Sequence, residues 1–323
     1  MKLKIVVLLG GKSPERKVSL VSGAEISKQL QLNGHQVIEI DPIDYELGHD
    51  LIQAICQKQP DIVFIALHGG DGENGVLQAM LAGSNLPFTG SDCKTSAVAM
   101  DKLLSKILAV HEGIPVPAYL VLSKNRVTGN PGISYENCLE QLHLTGKDKA
   151  MVIKPNDAGS SVGVHILTEP SKWQEALDDS FLHSDKVLIE EYIAGRELTV
   201  TMLDDKPLPV VEIIPHEGFY DYNNKYSKGN TTYQSPAEIT SEETKTIQVY
   251  AEKMWKVMDC RGYGRIDFRY DGNRFYFLEV NTLPGMTPLS LTPMAAKAVG
   301  ISFGELLERI INTIPQLKKE KIQ

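Results

Sequence analysis

Gly264-Arg265-Ile266-Asp267-Phe268 and, twelve residues after Asp267, Leu278-Glu279-Val280-Asn281 read as the two strands of a β-hairpin. Asp267, Glu279 and Asn281 offer only oxygen donors, the set that suits a hard cation such as Mg²⁺. The turn decides whether they meet. A two-residue Asp271-Gly272 turn puts Asp267 and Glu279 on opposite faces, whereas a three-residue Asp271-Gly272-Asn273 turn sets Arg265 against Glu279 and lets the three donors share a side. Ile266, Phe268, Leu278 and Val280 then point into a core. An ordinary amphipathic hairpin with a solvated charged face reads equally well from these residues alone.

Upstream, Val152-Ile153-Lys154-Pro155 brings a lysine to a strand end, and Gly159-Ser160-Ser161-Val162-Gly163 follows as a small-residue loop. Such a loop lets backbone amides approach a phosphate while the lysine supplies charge, although a plain hairpin turn fits as well. Glu190 and Glu197 bracket a connector, Glu191 to Arg196, between two expected strands, where solvated surface charge is the ordinary alternative.

Further out, residues 2–90 alternate short apolar runs with helical stretches: Ile5 to Leu9, a helix over Ser22 to Leu32, Val37 to Ile40 and Ile62 to Leu67. This is a βαβ pattern with a parallel sheet. Gly10-Gly11-Lys12-Ser13 and His68-Gly69-Gly70-Asp71-Gly72-Glu73-Asn74-Gly75 lie at strand exits, where open α/β sheets bind ligands. Gly11-Lys12-Ser13 is not a P-loop, because the glycine required five residues earlier is Val6.

A second unit starts near Ser96, with a helix over Asp101 to His111 stopped by Pro115 and Pro117. It continues through strands near Met151 to Lys154 and Val162 to Leu167, a helix over Ser171 to Asp179 and a strand at Val187 to Glu190. A third carries strands Glu197 to Leu203 and Leu208 to Ile214, a helix over Ser241 to Met258, the hairpin, and helices over Pro293 to Val299 and Phe303 to Ile314. The polar stretch 216–237 has no periodicity and reads as a functional lid or a disordered loop.

Of the 323 residues, 42% are apolar and 23% charged, ordinary for a globular chain. A net charge of -8 leaves no electrostatic footprint for nucleic acid. The four cysteines form no C-x-x-C pair and suggest a reducing cytoplasm, and the apolar run after Met1 is too short for a signal or membrane segment.

In order along the chain, Gly10 to Ser19, His68 to Gly75, Lys154-Pro155 with Gly159 to Gly163, and Glu279-Val280-Asn281-Thr282-Leu283-Pro284-Gly285-Met286-Thr287 resemble the ATP-grasp superfamily of carboxylate-amine ligases, and within it the D-alanine-D-alanine ligase family. The resemblance spans nearly the whole chain. It implies an α/β and α+β architecture: an N-terminal Rossmann-like unit over 1–95, a central ATP-grasp subdomain over 96–188 and a C-terminal one over 189–323 that carries the metal site and the lid.

The resemblance further implies ATP between the last two units, with Lys102 and Lys154 on its phosphates and Glu190, Ile193 and Glu197 around adenine and ribose. Asp267, Glu279 and Asn281 would hold two Mg²⁺, or Mn²⁺ in their place. Glu15, Ser160 and Tyr226 match the family's hydrogen-bonded triad, and Arg265 with the Gly285 N–H its oxyanion stabiliser. His68 matches a first-substrate residue; Lys225, Ser290 and Leu291 match the seat of the second substrate's carboxylate. The implied product is D-alanyl-D-alanine for cell-wall precursors, made through an acyl phosphate by a cytoplasmic homodimer. Lys225-Tyr226 argues against D-lactate as acceptor and leaves D-serine open, and a catalytically silent ATP-binding module is the alternative from another class. Leu283, Pro288-Leu289 and Glu191 depart from the family's usual residues.

Overall fold

The computed structural model describes residues 2–46, 48–127, 133–144, 150–216 and 230–320. Strands β1 (Lys4–Leu8), β2 (Gln36–Ile40) and β3 (Ile62–Ile65) form a parallel sheet in the order β2-β1-β3. The unbroken apolar runs of β1 and β3 fit strands covered on both faces: Ile5 to Leu8 and Ile62 to Ile65 are fully buried. The first helix spans Arg16–Leu32 and so starts earlier than Ser22. Its first turns carry polar residues that are buried by hydrogen bonding, which apolar periodicity does not register. The Ser19 hydroxyl donates to the Ala66 carbonyl at 2.7 Å and accepts the Gly10 N–H at 2.8 Å, stitching the helix to both glycine-rich strand exits.

The second sheet is antiparallel. Strands β4 (Tyr119–Ser123), β5 (Met151–Pro155), β6 (His165–Leu167) and β7 (Lys186–Glu191) lie in the order β4-β7-β5-β6. Helices Tyr135–Gln141 and Trp173–His183 close its core, with Tyr135 edge-on to Trp173 at 6.0 Å between ring centroids. Strand β6 begins at His165 rather than Val162. Ser160, Ser161 and Gly163 all take positive φ, which no regular strand accommodates.

The third sheet holds β8 (Arg196–Leu203), β9 (Lys206–Pro207), β10 (Val211–Pro215), β11 (Thr231–Gln234), β12 (Tyr263–Tyr270) and β13 (Phe275–Asn281). Its order is β11-β10-β8-β12-β13, with β9 paired to β8. Strand β11 falls inside the stretch expected to be a loop. It is polar because it edges the sheet, and Thr231 and Tyr233 line the central cavity. Helix Ser241–Val257 covers one face and opens with a capping box between Thr240 and Glu243.

The β12-β13 hairpin brings its donors together by a different route from the one expected. The register pairs Tyr270 with Phe275, so the connection is Asp271 to Arg274, four residues rather than three, and Arg265 lies opposite Asn281 rather than Glu279. The Asp271 carboxylate accepts from the N–H groups of Asn273 and Arg274, both at 2.7 Å, and holds that longer turn. In a regular strand Phe277 and Glu279, two apart, would share a face. A register shift between Asp267 and Phe268 leaves Leu278 as an extra residue, sending Phe277 into the core and Glu279 outward opposite Asp267. Phe277, fully buried and edge-on to Phe268, therefore takes the core position expected of the half-buried Leu278.

Helices Leu291–Ala298 and Phe303–Asn312 follow the hairpin yet pack toward the first sheet. Leu306 and Ile310 share one buried cluster with Ile26 and Leu30. Polar clasps reinforce this: Asn33 donates to Glu308 at 2.8 Å, and His35 Nε2 lies 2.8 Å from the same carboxylate.

Candidate active site

A cavity of about 810 Å³ opens where the three sheets converge. The first contributes Glu15, His68 and Glu73, the loop after β5 contributes Ala158 to Ser160, and β12-β13 with the following loop contributes Arg265, Glu279, Asn281, Gly285 and Ser290. Lys102, at the start of helix Lys102–His111, enters from the side. Asp101 caps that helix by accepting from the Leu104 N–H at 2.9 Å, which fixes where Lys102 begins.

The oxygen donors of the hairpin stand on one face. Asp267 is buried, accepts from the Thr199 hydroxyl at 2.6 Å, and is gripped by Arg265 through Nε at 2.7 Å and Nη2 at 2.8 Å. Glu279 lies 3.2 Å from the Lys102 ammonium. The Asn281 side-chain oxygen accepts the Leu283 N–H at 3.0 Å. Two carboxylates and an amide whose charge is met by cationic side chains suit a divalent cation chemically. No group of three His, Cys, Asp or Glu placed to hold a metal ion occurs among the described residues.

Glu15 occupies the N-cap position of helix Arg16–Leu32, but its carboxylate makes no capping bond. It accepts instead from the Ser160 hydroxyl, joining the first sheet to the loop after β5. Gly69 and Gly159 make room for it: a Cβ at either would come within 2.7 and 3.1 Å of a Glu15 oxygen. Tyr226 and Lys225, expected beside this pair and at the second substrate, lie outside the described residues.

His68 is buried between two partners, with Nδ1 3.0 Å from the Leu283 carbonyl and Nε2 3.1 Å from the Ser22 hydroxyl. The Leu283 carbonyl can only accept, so Nδ1 carries the ring proton, and Nε2 of the neutral ring accepts from the Ser22 hydroxyl, which itself also accepts the Met286 N–H. Burial lowers the pKa of His68, in keeping with a neutral ring, although Glu15 opposes the shift. Glu73 approaches His68 Nδ1 at 4.0 Å, but this is no ion pair: burial first, then Glu15, raises its carboxyl well above the usual range.

Gly285 packs against Ser290, whose hydroxyl accepts the Thr287 N–H at 2.9 Å. Leu291 opens helix Leu291–Ala298, where the first N–H groups have no intrahelical acceptor and favour an anion.

The expected nucleotide residues sit just behind. Glu190 has both oxygens occupied, Lys154 at 2.9 Å and Lys106 at 3.0 Å, so it orders lysines rather than standing open to solvent. Burial by itself would raise the Glu190 pKa, but the two lysines together bring it below normal. Ile193 and Glu197 are held by a residue not anticipated, Arg269, which donates to the carbonyls of Ile193 at 3.1 Å and Gly195 at 2.8 Å and pairs with Glu197 at 3.3 Å.

Arg269, Lys106, Thr199, Ser22 and Glu73 are the site residues that sequence reasoning missed. For Arg269 a signal existed, since it shares the alternation of Arg265 and Asp267; for the others only folding supplies the neighbour.

Two α+β layers around a cleft with lysines behind it and a hard-donor hairpin at its mouth define an ATP-grasp ligase. A family profile described as "D-ala D-ala ligase C-terminus" matches residues 108–312. The chain is 43% identical over 312 residues to a D-alanine-D-alanine ligase of Gloeobacter violaceus, covering 96% of this chain and 99% of the relative. It is 40% identical over 308 residues to another from Syntrophotalea carbinolica, covering 95% of each. The chain belongs to the D-alanine-D-alanine ligase family.

Solved structures agree. The Bacillus anthracis D-alanine-D-alanine ligase superposes with a TM-score of 0.83 at 33% identity over 99% of both chains. The same ligase complexed with ATP gives 0.79 at 30%, over 98% of this chain and 99% of that one. The VanG D-Ala:D-Ser ligase of Enterococcus faecalis gives 0.78 at 28%, over 97% and 99%.

Proposed function

We propose that this chain joins two molecules of D-alanine at the expense of ATP, through an acyl phosphate, and releases ADP and phosphate. The observation that carries the reading is the convergence, in one cavity, of the Glu15-Ser160 pair, Lys102, Glu279 and Asn281, with Asp267 on the same hairpin face held just behind by Arg265. These are a carboxylate for an ammonium, a cation for phosphate and oxygen donors for a metal.

In this reading the 1–95 unit supplies the first-substrate pocket, and the division near residues 95 and 188 frames the nucleotide cleft. Lys102 and Lys154 neutralise phosphate oxygens, the connector at Ile193 with Glu197 receives adenine and ribose, and Glu190, expected beside them, orders Lys154 from behind. Asp267, Glu279 and Asn281 would hold Mg²⁺, which supplies charge neutralisation on the transferring phosphoryl group. Glu15 receives the ammonium of the first D-alanine, with neutral His68 beside it as a hydrogen-bonding wall. The carboxylate of that first D-alanine attacks the terminal phosphorus of ATP and ADP leaves, and the amine of the second D-alanine then displaces phosphate from the resulting acyl phosphate. Arg265 and the Gly285 N–H stabilise the oxyanion of that second step; removing such a donor typically costs roughly 3 to 4 kcal/mol of barrier. Ser290 and the N–H of Leu291, at the positive end of its helix, seat the second carboxylate.

The family's cell-wall role, a cytoplasmic location and a homodimer complete the proposal. Four free cysteines support a reducing compartment, and no helix among the described residues is long and apolar enough to cross a membrane. Light scattering on the purified chain tests the dimer.

The deciding experiment is phosphate release from Mg-ATP with D-alanine, alone and with L-alanine, D-serine or D-lactate added, with products identified by mass. Stoichiometric D-alanyl-D-alanine is the expected result. A mixed product formed in preference would move the assignment to another acceptor, and ATP binding without turnover would leave a silent module.

A further inference from the structure

Lys106 is the one fully buried lysine among the described residues, and the reaction outlined above gives it no part. It lies one helical turn beyond Lys102 on helix Lys102–His111, at the spacing that puts two side chains on one face. Its ammonium lies 3.0 Å from Glu190 Oε1, while Lys154 takes Oε2 of the same carboxylate at 2.9 Å. The Tyr119 ring, 5.9 Å from the ammonium, closes the side toward β4. Two ammonium groups thus share one carboxylate, and Lys102 nearby already answers to Glu279.

The cluster is also incompletely hydrogen-bonded. Lys106 Nζ and Glu190 Oε1 meet at ion-pair distance without hydrogen-bond alignment, and both atoms are buried. A buried ammonium with unanswered N–H groups is costly, so the arrangement has a use for another anion.

We propose that Lys106 is a positioning residue of the nucleotide site: by sharing Glu190 with Lys154 it leaves the cluster one positive charge in excess, which a phosphate arriving at Lys154 balances. Lys154 retains slight exposure while Lys106 has none, so the anion meets Lys154 and Lys106 acts through the shared carboxylate. If Lys106 were neutral, Glu190 would be committed wholly to Lys154 and the attraction for phosphate would fall. Burial opposes the charge on Lys106 most, and three groups modulate it: Glu190 on β7 favours the charge, while Lys154 on β5 and Lys102 on the same helix oppose it, the net effect bringing its pKa down to about 8. A polyanion bound beside Lys154 must raise that value again. Nucleotide binding above pH 8 is therefore coupled to proton uptake.

The inference rests on the nucleotide reading of the site, and calorimetry separates the two. ATP with Mg²⁺ is titrated into the full chain without D-alanine at pH 8.5, in buffers of different ionisation enthalpy, and its affinity is followed from pH 7 to 9. The wild type is expected to take up a substantial fraction of one proton and to lose affinity as pH rises. Lys106→Met is expected to bind ATP about tenfold more weakly at pH 7.5, the weight of one charge-assisted contact, with no proton uptake. Lys106→Arg, permanently charged, is expected to restore affinity and also to show no uptake. ATP binding by the wild type without proton uptake, or uptake undiminished in either variant, overturns the role of Lys106 alone. Absence of ATP binding by the wild type overturns the nucleotide reading together with it.

Discussion

Asp267 shows how much one side chain can depend on its neighbours. Its carboxylate answers to Arg265 and Thr199 at once, so an amide of the same shape keeps the packing but loses the charge-assisted pair and the anionic donor. Asp267→Asn and Glu279→Gln are expected to lower turnover at ordinary Mg²⁺ by two orders of magnitude or more, on the order of a lost transition-state electrostatic contact. Excess Mg²⁺ should recover little of it for Asp267→Asn. Turnover unchanged in a phosphate-release assay would remove both from the metal site.

Lys106 carries a second prediction at this scale. The folded chain releases this proton near pH 8, whereas the unfolded chain keeps it to 10.5, so between those values the unfolded state binds more protons and stability rises with pH. The gain is absent below about 8 and complete above 10.5. Lys106→Met removes it, so urea unfolding should show the wild type gaining on the variant across that window by roughly 3 kcal/mol at most. A constant difference from pH 7 to 10 would mean that the ammonium is not desolvated as its burial indicates.

At the scale of elements, the informative joint is between the β7-β8 connector and β12. Arg269 on β12 takes two connector carbonyls and Glu197, and its guanidinium lies 5.7 Å from the Tyr192 ring. Its alternation with Asp267 ties the expected adenine connector to the strand that carries the expected metal ligand. Arg269→Ala is expected to raise KM for ATP by about tenfold or more while leaving KM for D-alanine within twofold, and Arg269→Lys to restore it only in part because it cannot span both carbonyls. A parallel rise in both constants would make Arg269 a general stabiliser. The hairpin teaches the same lesson differently: a four-residue turn and one extra residue at Leu278 offset each other, and the donors face one way after all.

Over the whole molecule, the last helices bind the C-terminal sheet to the first layer of the fold. Phe303–Asn312 packs against Arg16–Leu32, and Glu308 answers both Asn33 and the buried His35. His35 accepts the Leu3 N–H on Nδ1, so Nε2 carries the proton that Glu308 receives. Glu308→Ala leaves that donor buried without its acceptor and is expected to cost about 1 to 3 kcal/mol in urea unfolding, with kcat unchanged. Loss of activity without loss of stability would place this contact in the working cycle of the enzyme instead.

The sequence by itself determined the family and most of the strands and helices that carry its motifs. Unbroken apolar runs in β1 and β3, the alternation along β12, and the ordered motifs around His68, Lys154 and Glu279 are local properties written in residue type and spacing. It could not determine which partner each charged group would meet. Glu190 looked like a surface acid until β5, β7 and helix Lys102–His111 converged on it, and the polar run at Thr231–Gln234 looked structureless until β10 offered it an edge. Periodicity reports the environment of one element, whereas an ion pair or a sheet edge needs a second element whose position is fixed only when the whole chain is packed.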